Sequence, residues 1–220
     1  MTLSELHDRL LAWAGAEERQ PWLLEARRAW FAAVGEPHEE DKSFEHRMNG
    51  LLDHYLYDYR PDGEHTTLDL FLRDGAGSFT TDERAQMRDL GRSRRALFEV
   101  RRIRPGIVEL QEVFGEGRHE VEERRAVVAL AKGDIFEARL LPHEGKLHFS
   151  ASFVYHPREV RRAILKEARR RVESAPPGQG ADAAEFLALL SRMALRLERY
   201  RNVRVESIYD FDAPPGRSGG

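Results

Sequence analysis

Four histidines, His38, His46, His54 and His65, fall in a run that also holds Glu39, Glu40, Asp41, Asp53 and Asp58. Imidazole and carboxylate together make a His/carboxylate metal site, so metal-assisted hydrolysis is the first chemistry this stretch suggests. Spacing weakens the idea. His46 and His54 are eight residues apart, about 80° around a helix, and do not form the i, i+4 pair of a helical metal motif. His54 with Asp58 and His46 with Asp53 are better spaced, but each supplies only two ligands. The plainer reading is a set of solvated side chains, and no metal or other cofactor is assigned.

Other reactive constellations are absent. The chain has no Cys, which removes disulfides, thiolate metal sites, iron-sulfur clusters and cysteine nucleophiles. No G-x-S-x-G, P-loop or G-x-G-x-x-G motif occurs, and Gly115-x-Gly117 lies between strands with no helix to offer amide donors to a phosphate. Glu109, Glu112, Glu120, Glu122 and Glu123 alternate with apolar residues on predicted strands, which points to a solvent-facing role ahead of paired acid/base work. No catalytic residue is assigned, and an enzyme has no positive support. The first twenty residues carry Glu5, Asp8, Glu17 and Glu18 and no continuous apolar run, so neither a signal peptide nor a membrane helix is expected and the default compartment is the cytoplasm.

The elements that must hold any site are clearest from Ala96 to Tyr155, where hydrophobicity alternates with a period of two. Phe136, Ala138 and Leu140 fall on one face with Glu137 and Arg139 on the other, as a half-buried strand requires. Leu147, Phe149, Ala151 and Phe153 repeat the pattern after a four-residue loop, Pro142-His143-Glu144-Gly145. Upstream, Leu97–Ile103 and Ile107–Val113 flank the turn Arg104-Pro105-Gly106, and Arg118–Glu123 follows. An open sheet of five short strands would leave long unpaired edges, so closure into a small SH3-like or OB-like barrel is favoured.

Helical periodicity fills the flanks. Leu6, Leu10 and Trp13 mark a first helix that Ser4 could cap, and Trp22, Ala26 and Trp30 a second; the tryptophans at helical spacing read as core ahead of a binding platform. Ser43 looks like the cap of a third helix with Met48, Leu51 and Tyr55 on its stripe, and Thr66/Asp69 and Thr80/Glu83 look like capping boxes. Pro157 begins a basic helix of about seventeen residues with Val160, Ile164, Ala168 and Val172 at intervals of four. Pro176 to Gly180 reads as a linker, Val203 to Ile208 as a short strand, and Pro214 to Gly220 as a disordered tail.

The run LLDHYLYDYRPDGEHTTLDLFL from Leu51, followed by SRRALFEVRRIRPGIVEL and LAKGDIFEARLLPHEGKLHFS, resembles an uncharacterised bacterial family. Its members have a helical region leading into a small β module, and some carry a C-terminal cysteine-rich SEC-C motif. The resemblance spans roughly Phe44 to Arg171 and rests on Asp58–Leu72 and on the L-x-x-G-D of Leu130–Asp134. It implies architecture, supplies no catalytic residues, and brings no zinc role to a chain without cysteine.

Charge is unevenly spread. Eleven acidic residues face four basic ones from Glu36 to Asp74, whereas six Arg face one Glu from Arg92 to Arg104 and seven basic residues face three Glu from Pro157 to Glu173. A basic surface beside a small barrel could bind nucleic acid. It could also match the acidic region of the same or a second molecule, which a net charge of -3 favours. The expected fold is α+β: a helical region over 1–91, a five-stranded barrel-like antiparallel sheet with its basic helix over 92–175, and a C-terminal helix and tail over 181–220. The expected function is a non-enzymatic cytoplasmic adaptor or regulatory protein that binds another protein or itself, with nucleic-acid binding as the alternative. The expected contact residues are Arg161, Arg162, Arg169 and Arg170 on the basic helix, and Phe186, Leu190, Met193 and Leu197 on the last, whose stripe is too apolar to stay exposed.

Overall fold

Alternation from Arg94 to His156 does produce five strands, and they close on themselves. The structure is a computed structural model that describes residues 1–123, 130–175, 182–200 and 202–212. Strands β1 (Arg94–Arg104), β2 (Ile107–Glu112), β3 (Arg118–Glu122), β4 (Ile135–His143) and β5 (Lys146–His156) form a closed barrel in the order β1-β2-β3-β5-β4. Three consecutive strands with β4 returning beside β1 make a Greek key, which selects the OB-like of the two expected closures. All pairs are antiparallel except β3 with β5, which meet in parallel at Val121 and Leu147. Register shifts at Val100/Arg102 in β1 and at Ala138/Leu140 in β4 supply the bends that a small closed sheet needs.

Turn chemistry sets the hairpins. Gly106, at φ 75°, follows Pro105 as a two-residue turn between Arg104 and Ile107. The β4–β5 loop is shorter than expected, since Pro142 and His143 stay in the ladder and only Glu144 (φ 49°) and Gly145 (φ 75°) turn. Positive φ at both positions gives the twist that matches the flanking strands. The barrel interior is filled by Phe98, Val108, Leu110, Val121, Phe136 and Phe153 among others.

Five α-helices precede the barrel, α1 (Leu3–Ala14), α2 (Gln20–Val34), α3 (Phe44–Tyr57), α4 (Thr67–Leu70, continued by a π-turn Phe71–Gly75) and α5 (Thr81–Leu90), with a 3₁₀ turn (Glu17–Arg19) between the first two. The expected capping boxes at Thr66/Asp69 and Thr80/Glu83 are both present. Thr2, and not Ser4, caps α1, because Thr2 reaches the Glu5 amide while Glu5 reaches back. Ser43 precedes α3 but makes no cap bond, its hydroxyl being committed to Glu198. Gly75 ends the π-turn where no larger residue fits, since an added Cβ would lie 2.5 Å from Phe71 Cδ2 and 2.6 Å from Trp13. Gly75→Ala should therefore cost about 1–3 kcal/mol by overpacking; an unchanged urea midpoint would show that both rings give way freely.

Behind the barrel come a 3₁₀ turn (Arg158–Val160), α6 (Arg161–Ser174), α7 (Ala183–Arg199) and α8 (Val205–Ile208). The strand expected at Val203–Ile208 is thus a helical turn. Valine and isoleucine suggested extension, but the closed barrel leaves no edge to pair with, and Ile208 packs against α6 and α7 instead. The linker at Pro176–Gly180 and the tail at Pro214–Gly220 lie outside the described residues. No helix among the described residues is long and apolar enough to cross a membrane.

One face of the barrel differs from the alternation expected. β4 is buried at every position except Pro142, so Glu137 and Arg139 do not face water but lie under the helices. Glu112, expected to be solvent-facing, is also buried and pairs with Arg94 and His119, each at 2.7 Å.

Candidate functional site

Asp53, His54 and Asp58 ride on α3 and its C-terminus; Leu51 packs α3 against α2 and α7, Tyr55 packs it against α1, and its other face meets β5 through His46, Gly50 and Asp53. Facing them across the layer are Ser93 and Arg95 at the start of β1 and Glu137 and Arg139 on the outer face of β4. Arg139, only 3% exposed, is the hub. Its Nη1 donates to Ser93 Oγ at 2.9 Å, its Nη2 donates to the Asp58 carboxylate, and its Nε stands 4.0 Å from Asp53 Oδ2. Arg95 donates to Glu137 Oε1 at 2.6 Å and lies 4.5 Å over the Trp30 ring, against which His54 also stacks at 4.9 Å. The three stretches that carry the family resemblance therefore meet in this one cluster.

Burial governs the electrostatics. It pushes the Asp53 carboxyl up to about 6, partly opposed by a hydrogen bond from Ser150 and the charge of Arg139. Burial raises Asp58 too, but the hydrogen bond from His54 and the positive charge of Arg139 outweigh it and hold this carboxyl below the ordinary range. A cleft of about 540 Å³ adjoins the cluster, lined by Trp30, His54, Ser93, Arg95 and Arg139 among others. With each arginine matched to a carboxylate, the arrangement works as a latch between the helical layer and the barrel.

The other candidate ligands scatter. His46 faces the Ala151 carbonyl at 2.9 Å, His65 faces Asp62 at 2.9 Å, and His38 is exposed. No group of three or more His, Cys, Asp or Glu that could hold a metal occurs among the described residues. Ser93, Arg95, Glu137 and Arg139 are the cluster members not among the candidate site residues of the sequence; Arg95 shows there only as part of an arginine-rich run, and Glu137 and Arg139 as a charged pair inside an otherwise apolar strand.

The basic helix divides into engaged and open residues. Arg158 pairs with Asp134 and Arg161 with Glu99, both at 2.6 Å, while Arg170 and Arg171 pair with Glu167 on their own helix at 2.6 and 2.8 Å. Arg162, Lys166 and Arg169 are exposed and have no ion-pair partner among the described residues. Among the described residues, no ion pair joins α6 to the acidic region. That region meets other cations, Asp41 pairing with Arg199 at 2.7 Å and Asp58 with Arg139. On α7, Asp182 caps the helix, and Phe186, Leu190 and Met193 are buried against β1, α6 and α8. They are core within the chain, which leaves Leu197, partly buried, nearer the surface.

Fold and cluster together define an α+β protein in which a Greek-key barrel is latched to a helical layer. Over residues 5–188 the chain matches the model of a Family of unknown function (DUF7986), and it belongs to that family. No curated protein and no solved structure matches it.

Proposed function

We propose that this chain is a non-enzymatic adaptor or regulatory protein of the cytoplasm that binds another protein through the open face of α6. The supporting observation is the stripe of Arg162, Lys166 and Arg169, which at spacings of four and three share one helix face and are left unpaired while their neighbours are engaged. Exposed Glu159 and Glu173 bracket the stripe. Mixed signs at the rim suit an acidic protein surface, where charge sets orientation and on-rate, better than a uniform phosphate backbone.

Nucleic-acid binding is the second reading, and the Greek-key barrel favours it. Against it, β2 and β3 carry Glu109, Glu120 and Glu122 toward the surface and no Phe, Tyr or Trp on which a base could stack.

Replacing all three residues (Arg162→Glu, Lys166→Glu, Arg169→Glu) should remove the partner that co-purifies from the native host and leave the melting curve nearly unchanged, as exposed sites allow. Retention of that partner by the triple variant would overturn the reading. Salt-sensitive binding to a single-stranded oligonucleotide, with a log-log slope that falls by about two to three units in the variant, would promote the second.

A further inference from the structure

Arg47 is 4% exposed, in the first half of α3. Its Nε donates to Ser43 Oγ at 2.8 Å and its Nη2 to the Ser191 carbonyl at 3.0 Å, but Nη1 has no partner. No carboxylate among the described residues comes within ion-pair distance of it. Glu198 is one hydroxyl removed, accepting from Ser43 Oγ at 2.6 Å. A guanidinium enclosed this way, its nearest carboxylate reached only through a hydroxyl and one donor unmet, is costly. His156 stands in the same wall, 6% exposed, with Nδ1 on the Tyr209 hydroxyl at 3.0 Å and Nε2 unpartnered.

Both residues line a groove of about 450 Å³ where α3, the end of β5 and the end of α7 meet. Its remaining walls are formed chiefly by Phe153, Tyr155 and Leu197, with the exposed Lys42 and, as polar members, Ser43, His46 and Glu198, whose carboxylate is held by the Ser43 hydroxyl and amide. Phe153 and Tyr155 stack in parallel at 5.7 Å, and Tyr155 stays 42% exposed. Apolar walls around a few polar groups, at this volume, are what small-molecule sites have in common.

We infer that this groove binds a small amphipathic carboxylate, its apolar body against Tyr155, Phe153 and Leu197 and its carboxylate supplying the direct, charged acceptor that Arg47 Nη1 lacks. Phosphate alone would leave the apolar walls wet, and a neutral ligand would leave Arg47 Nη1 without a charged acceptor. The site is separate from the basic face of α6 and does not depend on it.

The full chain is titrated calorimetrically with octanoate, 4-phenylbutyrate, 1-octanol and inorganic phosphate. Both carboxylates should bind saturably and at least tenfold more tightly than 1-octanol, phosphate should not bind, and each carboxylate should raise the melting temperature. Arg47→Gln should erase the preference for octanoate over 1-octanol. Should that variant fail to fold, Tyr155→Ala and Leu197→Glu, at partly or largely exposed positions, should each weaken 4-phenylbutyrate severalfold. Absence of saturable binding, equal affinity for octanoate and 1-octanol, binding of phosphate as tight as that of octanoate, or affinity indifferent to Tyr155→Ala and Leu197→Glu would each overturn the assignment.

Discussion

Phe136→Ala is expected to lower the unfolding free energy by about 3–5 kcal/mol, through lost burial plus the cavity left behind. Phe136 is fully buried on β4, and its ring lies within 6.2 Å of the rings of Phe98, Phe149, Phe153 and Tyr155. These neighbours come from β1, β4's partner β5 and the barrel interior, so they cannot collapse into the space without opening the closed ladder. A loss of that size is a large part of the stability of an ordinary domain. Urea unfolding followed by far-ultraviolet circular dichroism measures it, and a loss under 1 kcal/mol would mean that Phe136 is not the centre of the barrel core.

Arg139→Gln should be comparably severe, about 3–5 kcal/mol, because removing one partner of a buried ionic cluster leaves the other charges uncompensated. Asp58 keeps some water, its side chain being 39% exposed, whereas Asp53 is enclosed. The variant should therefore betray itself through pH. Asp53 titrates near 6 in the fold against an ordinary value of 3.8, so the folded chain holds this proton more tightly than the unfolded chain does. Its contribution to stability is thus most favourable below about pH 4 and is lost as pH rises through 6. Without Arg139 the carboxyl should move further up, so Arg139→Gln should regain stability on acidification from pH 7 to pH 4 more steeply than the wild type. His156, pushed down to about 3 by burial, acts in the opposite sense, losing stability as pH falls below 6.5. The difference between variants isolates Asp53, and adding Asp53→Asn should flatten it. An Arg139→Gln pH profile parallel to that of the wild type would show that Asp53 and Arg139 are not coupled.

Local signals account for much of this architecture. A period of two from Arg94 to His156, the Pro105-Gly106 turn, the Thr66/Asp69 and Thr80/Glu83 boxes and the Asp182 cap each report interactions within a few residues of one another, so they can be read along the chain. Closure could be anticipated as well, since five short strands have few other ways to lose their edges.

What the amino-acid sequence by itself determined, then, was the α+β order of elements, the barrel and the core stripes, because periodicity and turn chemistry are local. Tertiary structure alone decided where the charges went. Glu137 and Arg139 alternate along β4 as solvent-facing residues do, and only the docking of α3 and α5 over that face turns them into a buried cluster with Asp58, eighty-one residues away from Arg139. Val203–Ile208 had the composition of a strand and became a helical turn because the closed barrel offered no edge. Arg47 sits on a helix like any surface arginine, and its enclosure follows from α7 packing over it, with the Ser191 carbonyl 144 positions away in sequence and 3.0 Å away in space. Burial and ionic pairing depend on which surfaces meet, and periodicity along one segment carries no record of what packs against it.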